Sequence, residues 1–177
     1  AVPAVPAEGA LPGGCLYEPK WDGYRAAIFV GPDGALLFSR QGKDLSRYFP
    51  ELVQAAASQI PSGCVLDGEA VVWAGERLDF DALQKRLVTG IKALPTLARE
   101  RPASFVAFDL LAVAGHDIRD TAFAGRRELL EHLAADWVPP LNLSPVTRDR
   151  EQALQWFEEM PAVGVEGLMV KAAGQSY

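Results

Sequence analysis

The stretch LYEPKWDGYRAAIF, Leu16 to Phe29, sets a lysine between two carboxylates at the threshold of an apolar run. Alternate side chains of an extended chain share a face, so Glu18, Lys20 and Asp22 are expected to point one way and Trp21 the other. Gly23 leaves room for a bend or a close approach, and Arg25 follows within reach of the same face. An acid, an amine, an acid and a guanidinium thus gather where a sheet would normally bury something apolar. Two readings compete: a solvated strand edge with surface ion pairs, or a lysine set up as a nucleophile.

The anomaly recurs along the chain. In VLDGEAVVW, Asp67 and Glu69 share a face amid valines and a leucine; in SFVAFDLL, Phe108 and Asp109 close an apolar run; in VGVEGLMVK, Glu166 interrupts another. A carboxylate inside an apolar strand is costly unless paired or bound to a cation. With Arg25 and Arg40 nearby in sequence, these sites suggest a shared cleft for phosphates and a divalent metal, structural ion pairs being the alternative at each.

Bulk properties bound the rest. The 177 residues are 49% hydrophobic and 23% charged, which fits a globular protein with one sizeable core. No apolar run approaches the roughly 20 residues needed to cross a bilayer, so no membrane partner is expected. The net charge of -6 argues against a module that grips nucleic acid by bulk attraction alone. Cys15 and Cys64 form no CxxC pair and read as idle thiols, consistent with a reducing cytoplasm. His116 and His132 are the only histidines, so a histidine triad or zinc site is not expected. Neither GxxxxGK[ST] nor GxGxxG occurs, which leaves P-loop and dinucleotide folds unsupported.

Periodicity and punctuation give an α+β order rather than regular βαβ units. Residues 1–14 read as a loose leader and 15–177 as one domain. Strands are expected over 15–20, 23–31 and 35–40, with a hairpin turn at Gly31 to Gly34. Further strands are expected over 63–75, 103–115 (nearly all apolar, hence central), 142–147 and 165–172. Helices are expected over 49–60, where Leu52, Ala55, Ala56 and Ile60 make a stripe, and over 79–87, capped by Asp79. Two more are expected over 125–137 and 149–160, the last opened by Asp149, with a polar helical stretch at 96–102.

At this point the residues resemble a known family. KWDGYR (Lys20–Arg25) is similar to the KxDGxR nucleophile motif of the covalent nucleotidyltransferases, the ATP-dependent DNA ligases and their relatives. FSRQGK (Phe38–Lys43), LDGEAVVW (Leu66–Trp73), FVAFDLL (Phe105–Leu111) and VEGLMVK (Val165–Lys171) follow in the family's order. RYFPEL (Arg47–Leu52) and LDFDALQKR (Leu78–Arg86) favour bacterial-type DNA ligases over capping enzymes. The resemblance implies an adenylation domain: antiparallel sheets flanked by helices around a nucleotide cleft.

It also implies a chemistry in which a lysine amine attacks the α-phosphorus of ATP, expels pyrophosphate and carries AMP through a P–N bond. An ordinary lysine, with a pKa of about 10.4, is neutral in only about one molecule in a few thousand at pH 7. Neighbouring arginines and a divalent cation, Mg²⁺ or Mn²⁺, would disfavour the ammonium and offset phosphate charge. By resemblance, Lys20 is the nucleophile, Glu18 helps read the adenine amino group, and Asp22 orients Lys20 or supports its deprotonation. Arg25 and Glu69 hold the ribose hydroxyls, Arg40 a phosphate of ATP or the 5′-phosphate of a nick, and Phe108 stacks on adenine. Glu166, with Glu69, helps hold the metal. Lys171 completes its motif, but strict alternation sets it opposite Glu166.

The resemblance further implies a following KxK strand and a separate OB-fold domain, neither found within residues 1–177. The expectation is therefore an adenylation domain of a bacterial, cytoplasmic, monomeric DNA ligase acting on nicked duplex DNA, for replication, repair or recombination. An RNA ligase or capping-type guanylyltransferase, and an inactive nucleotide- or DNA-binding module, remain the alternatives.

Overall fold

In the computed structural model, which describes residues 1–177, apolar alternation and glycine punctuation place the elements. The chain enters its first strand, β1 (Cys15–Pro19), then forms the hairpin β2 (Tyr24–Gly31) and β3 (Gly34–Ser39) about the expected turn. Pro50 opens α1 (Pro50–Gln59), whose Leu52, Ala55 and Ala56 are buried as the stripe predicts. β4 (Cys64–Ala74) and the short β5 (Arg77–Leu78) follow. Asp79 then caps α2 (Phe80–Val88) by accepting from the Ala82 amide.

A single-turn 3-10 segment and α3 (Leu94–Glu100) lead into β6 (Ala103–Val113), then β7 (His116–Asp117) and α4 (Phe123–Leu133). The chain closes with β8 (Leu141–Leu143), α5 (Arg150–Glu159) capped by Asp149, and β9 (Leu168–Ala172).

Two sheets result. The larger runs β3-β2-β4-β6-β7, with β5 on β4 and β8 on β6; the smaller is the antiparallel pair β1-β9. All pairings are antiparallel except β6 with β8, which run parallel. β6 is paired on both sides, as its continuous apolar run predicts. Period-two alternation sends Ala26, Ile28, Val30 and Leu37 into the main core beneath α1. Arg25, Ala27, Phe29, Phe38 and Arg40 are left on the opposite face. A separate small core of Val5, Cys15, Tyr17, Ala153 and Leu168 joins β1-β9 to α5.

The first 14 residues hold no helix or strand but are not loose. Val5 is buried, the Val2 amide bonds to the Leu168 carbonyl, and the Tyr17 hydroxyl donates to the Pro6 carbonyl. Val2 and Val5 pack into the small core that β1-β9 shares with α5.

Candidate active site

Three expectations built on strict strand alternation give way. β1 ends at Pro19, so Lys20, Trp21 and Asp22 lie beyond it. Lys20 is instead bridged through its backbone to the segment before β9: its amide donates to the Gly167 carbonyl, and its carbonyl accepts from the Glu166 amide. Trp21, expected to face away, lines the cleft and donates from Nε1 to the Ser144 hydroxyl at 2.9 Å, whereas Asp22 does not line it. Glu166 precedes the final strand rather than interrupting it. Parity counted from Glu166 is therefore void, and Lys171 does point into the cleft.

That cleft, about 390 Å³, lies between the two sheets and gathers Glu18, Lys20, Arg25, Arg40, Glu69, Phe108 and Lys171. Of the expected residues, Asp22 and Glu166 are outside its wall. Glu166 nonetheless touches the contents, because its carboxylate pairs directly with the Lys20 ammonium. Gly23 lets the lysine segment turn tightly: a Cβ there would stand 2.4 Å from the Ala70 carbonyl oxygen and 2.7 Å from Glu69 Cγ. Lys20 is thus held from both sides, by the Glu166-Gly167 backbone and by the packing at Gly23.

The cleft floor comes from β2, β4 and β6. Arg25 faces Glu69 across β2 and β4, but its guanidinium forks onto Asp67, Nη2 to Oδ2 at 2.7 Å and Nε to Oδ1 at 3.3 Å. This bond is the main reason the Arg25 guanidinium is held more firmly protonated than usual. Glu69 is left without that partner. Its carboxyl is pushed up to about 8, chiefly by burial, with Asp67 and Asp22 adding to the rise and Arg25 and Lys20 opposing it.

A β-bulge sets the aromatic. Asp67 pairs with Asp109 but Gly68 pairs with Ala107, so Phe108 is the extra residue on β6. Both Phe108 and Asp109 consequently reach the cleft. The Lys171 ammonium lies 4.8 Å from the Phe108 ring centroid and the Arg25 guanidinium 5.6 Å. Asp109, an anomaly in the sequence, has a structural partner: Arg126 of α4 forks onto it at 2.8 and 2.9 Å, with both side chains buried.

Glu18 lies at the back, 2% exposed, with Oε2 bonded to Lys171 Nζ at 2.6 Å. Its Oε1 has no hydrogen-bond partner, and the nearest cation is Arg127 Nη1 at 3.7 Å. Burial raises this carboxyl above the usual range, while Lys171 and Arg127 pull it down. A buried, unpartnered acceptor on a residue that lines the cleft suits a ligand that brings its own N–H donor.

A family model described as an ATP dependent DNA ligase domain matches residues 8–177. The chain belongs to the ATP-dependent DNA ligase family. It is 42% identical over 167 residues to DNA ligase C2 of Mycolicibacterium smegmatis, and 38% identical over 172 residues to DNA ligase C of Mycobacterium tuberculosis. These matches cover 94% and 95% of the chain but 47% and 48% of the relatives, so it spans about half their length. Among solved structures it resembles the ligase domain of M. tuberculosis LigD, with 29% identity and a TM-score of 0.73. That likeness covers 98% of this chain and 53% of the other. A mycobacterial DNA ligase D complexed with ATP and MES gives 27% and 0.69, covering 98% and 54%.

In this ligase domain the fit to a divalent cation is partial. No three His, Cys, Asp or Glu side chains converge. Glu166 is taken up by Lys20, and Glu69 is a single buried carboxyl with a raised proton affinity. Sequence reasoning missed Trp21 and Arg126 as parts of the site, and missed Tyr177. The Tyr177 hydroxyl donates to Asp67 Oδ2 at 2.8 Å and accepts from Arg25 Nη2 at 3.1 Å. No local pattern marks Tyr177, because its partners lie 110 and 152 positions away.

Proposed function

We propose that this domain performs the nucleotide-transfer chemistry of an ATP-dependent DNA ligase, with Lys20 as the nucleophile. The observation that carries the reading is Lys20 itself: a lysine fixed through both backbone groups at the rim of a cleft, with Phe108 and the free oxygen of Glu18 behind it. An adenine stacked on Phe108 would present its exocyclic amine as the donor that Glu18 Oε1 lacks. The ribose falls to Arg25 and Glu69, the phosphates to Arg40, which is exposed at the cleft edge.

The lysine must lose a proton before it attacks, and the carboxylate it touches is Glu166. Glu166 is thus the acceptor at hand, a role the sequence had assigned to Asp22. The neutral amine then bonds to the α-phosphorus as the bond to the β-phosphate oxygen breaks, releasing pyrophosphate. Lys171 stays with the AMP rather than with the leaving group, since Glu18 anchors it against the Phe108 ring. A divalent cation would be held by one oxygen of Glu69 and, before it takes the Lys20 proton, one of Glu166, the chain offering no cluster of three such ligands. When bound it would offset phosphate charge. Transfer of AMP to the 5′-phosphate at a DNA nick, and closure by the 3′-hydroxyl, belong to the whole enzyme and to the parts its relatives carry beyond this length.

Full-length enzyme with α-labelled ATP is expected to yield a covalent adduct that is acid-labile and base-stable, as a P–N bond requires. Lys20→Ala should give none. Lys20→Arg should also give none, because a guanidinium keeps its charge without becoming nucleophilic. An adduct on Lys20→Arg would return Lys20 to the status of a surface ion pair.

A further inference from the structure

Lys20 and the groups assigned to its substrate stand on different halves of the molecule. The Lys20 amide and carbonyl bond to the Gly167 carbonyl and the Glu166 amide at 2.8 and 2.9 Å, beside the small sheet. Arg25, Glu69 and Phe108 rise instead from β2, β4 and β6 of the large sheet. An amine attacks well only when it is held about 3–3.5 Å from the reacting atom. That gap depends on what ties the lysine segment to the large sheet.

Trp21, the next residue, makes such a tie through both its polar edge and its ring. Nε1 donates to the Ser144 hydroxyl at 2.9 Å, and the ring meets Trp73 of β4 edge-to-face, with centroids 6.3 Å and planes 78° apart. Ser144 is a fixed acceptor. It is fully buried just after β8, its amide donates to the Ala107 carbonyl of β6 at 2.8 Å, and its carbonyl accepts from Arg127 Nη2 of α4 at 2.7 Å. The indole itself is half-buried and lines the cleft. The Trp21–Ser144 bond thus joins the lysine segment to the large sheet one residue from the nucleophile.

This bond weighs differently in folding and in rate. A neutral hydrogen bond shifts a folding equilibrium by roughly fivefold, and the two sheets are also joined by Glu18 with Arg127 and by Lys171 over Phe108. A displacement of about 1 Å at the reacting atoms costs about a hundredfold in rate. A phenyl ring would fill much of the same space but offers Ser144 no donor. Resting on the proposed ligase function, we infer that Trp21 is a positioning residue for the nucleotide-transfer step: its hydrogen bond to Ser144 sets Lys20 at attacking distance from a nucleotide held by the large sheet. Trp21 accepts no proton and forms no bond in that step. It acts through Lys20.

The test measures single-turnover self-adenylylation of full-length enzyme with α-labelled ATP over a range of ATP concentrations. Trp21→Phe, Ser144→Ala and the double variant are compared with wild type. Trp21→Phe is expected to lower the limiting rate by about ten- to a hundredfold. Its half-saturating ATP should stay within about twofold of wild type, since the nucleotide's own contacts are intact. Ser144→Ala, which keeps the indole and removes its acceptor, should show the same split. The double variant should be no slower than the slower single one, because both substitutions break one bond. Thermal melting checks that each variant is folded. Trp21 is only half-buried, so Trp21→Phe decides the matter if Ser144→Ala does not fold.

An unchanged limiting rate in Trp21→Phe would overturn the inference and leave Trp21 as packing. A loss seen only as a higher half-saturating ATP would overturn it too, by making the indole part of the nucleotide's seat. Multiplying losses in the double variant would show that the two side chains act separately, which also overturns it. Absence of self-adenylylation in wild type would defeat the ligase reading itself, an outcome separate from the others.

Discussion

Glu69 holds a buried carboxyl beside a cation already committed elsewhere. Arg25 spends its fork on Asp67, so burial dominates and the Glu69 proton is retained up to about pH 8. The sign follows directly. The unfolded chain releases this proton near about pH 4.3, so between there and pH 8 the folded state binds more protons. Stability therefore falls as pH rises through that window, by at most about 1.4 kcal/mol per pH unit from this group. Glu69→Gln is neutral throughout and is expected to flatten the decline, while weakening nucleotide binding if the carboxylate holds the ribose. Urea melts at pH 5 to 9 measure it, and parallel curves for the two proteins would refute it. The sequence marked Glu69 as anomalous. It could not show that Arg25 would choose Asp67, since both acids lie opposite the β2 strand and only side-chain geometry decides between them.

At the scale of elements, pattern reading succeeded where apolar periodicity ran unbroken and failed at strand ends. The buried stripe of α1, the Asp79 and Asp149 caps and the central β6 strand were all legible, because each is a local consequence of its own residues. Face assignment for Lys20 to Asp22 was not, because β1 stops at Pro19 and alternation has no force beyond it. The same holds for Glu166, which precedes β9. The bulge at Phe108 was equally hidden, since it exists only in the pairing of β4 with β6. Beneath that bulge α4 is docked onto β6 by the Arg126–Asp109 pair, both partners nearly sealed from solvent. Arg126→Met leaves a buried aspartate without compensation and is expected to cost about 3–5 kcal/mol of stability. The variant Arg126→Met with Asp109→Leu should recover much of it, since a packed apolar pair can replace a buried ion pair. Chemical denaturation of both checks this, and a double variant no better than the single would show that packing rather than charge holds the helix.

For the whole molecule, the cleft depends on two cores that share little. The large sheet brings Arg25, Glu69 and Phe108; the small sheet and its flanking turns bring Glu18, Lys20 and Lys171. The cross-links are polar at Glu18 with Arg127 of α4, Trp21 with Ser144, Tyr177 with Asp67 and Arg25, and Lys171 over Phe108 and Phe123, and apolar where Leu16 and Ala173 pack on Phe123. A nucleotide between the sheets would add contacts to both at once, so its binding should tie them together. Binding to the folded state alone stabilises by RT ln(1 + [L]/Kd), about 2.7 kcal/mol at a hundredfold excess over Kd. Full-length enzyme is therefore expected to melt higher with ATP than without. Phe108→Ala should remove most of that gain by weakening the stack about 1–3 kcal/mol, while leaving the nucleotide-free melt nearly unchanged because the side chain is only half-buried. Residues 1–177 alone, with both cores intact, should fold and show a smaller shift. They should not seal nicks, because their relatives devote about half their length to parts beyond this domain. Scanning calorimetry and a nick-sealing assay on the same preparations separate the two statements. A Phe108→Ala protein with the full ATP shift would remove Phe108 from the nucleotide's seat, and sealing by residues 1–177 would place the entire reaction within these two sheets.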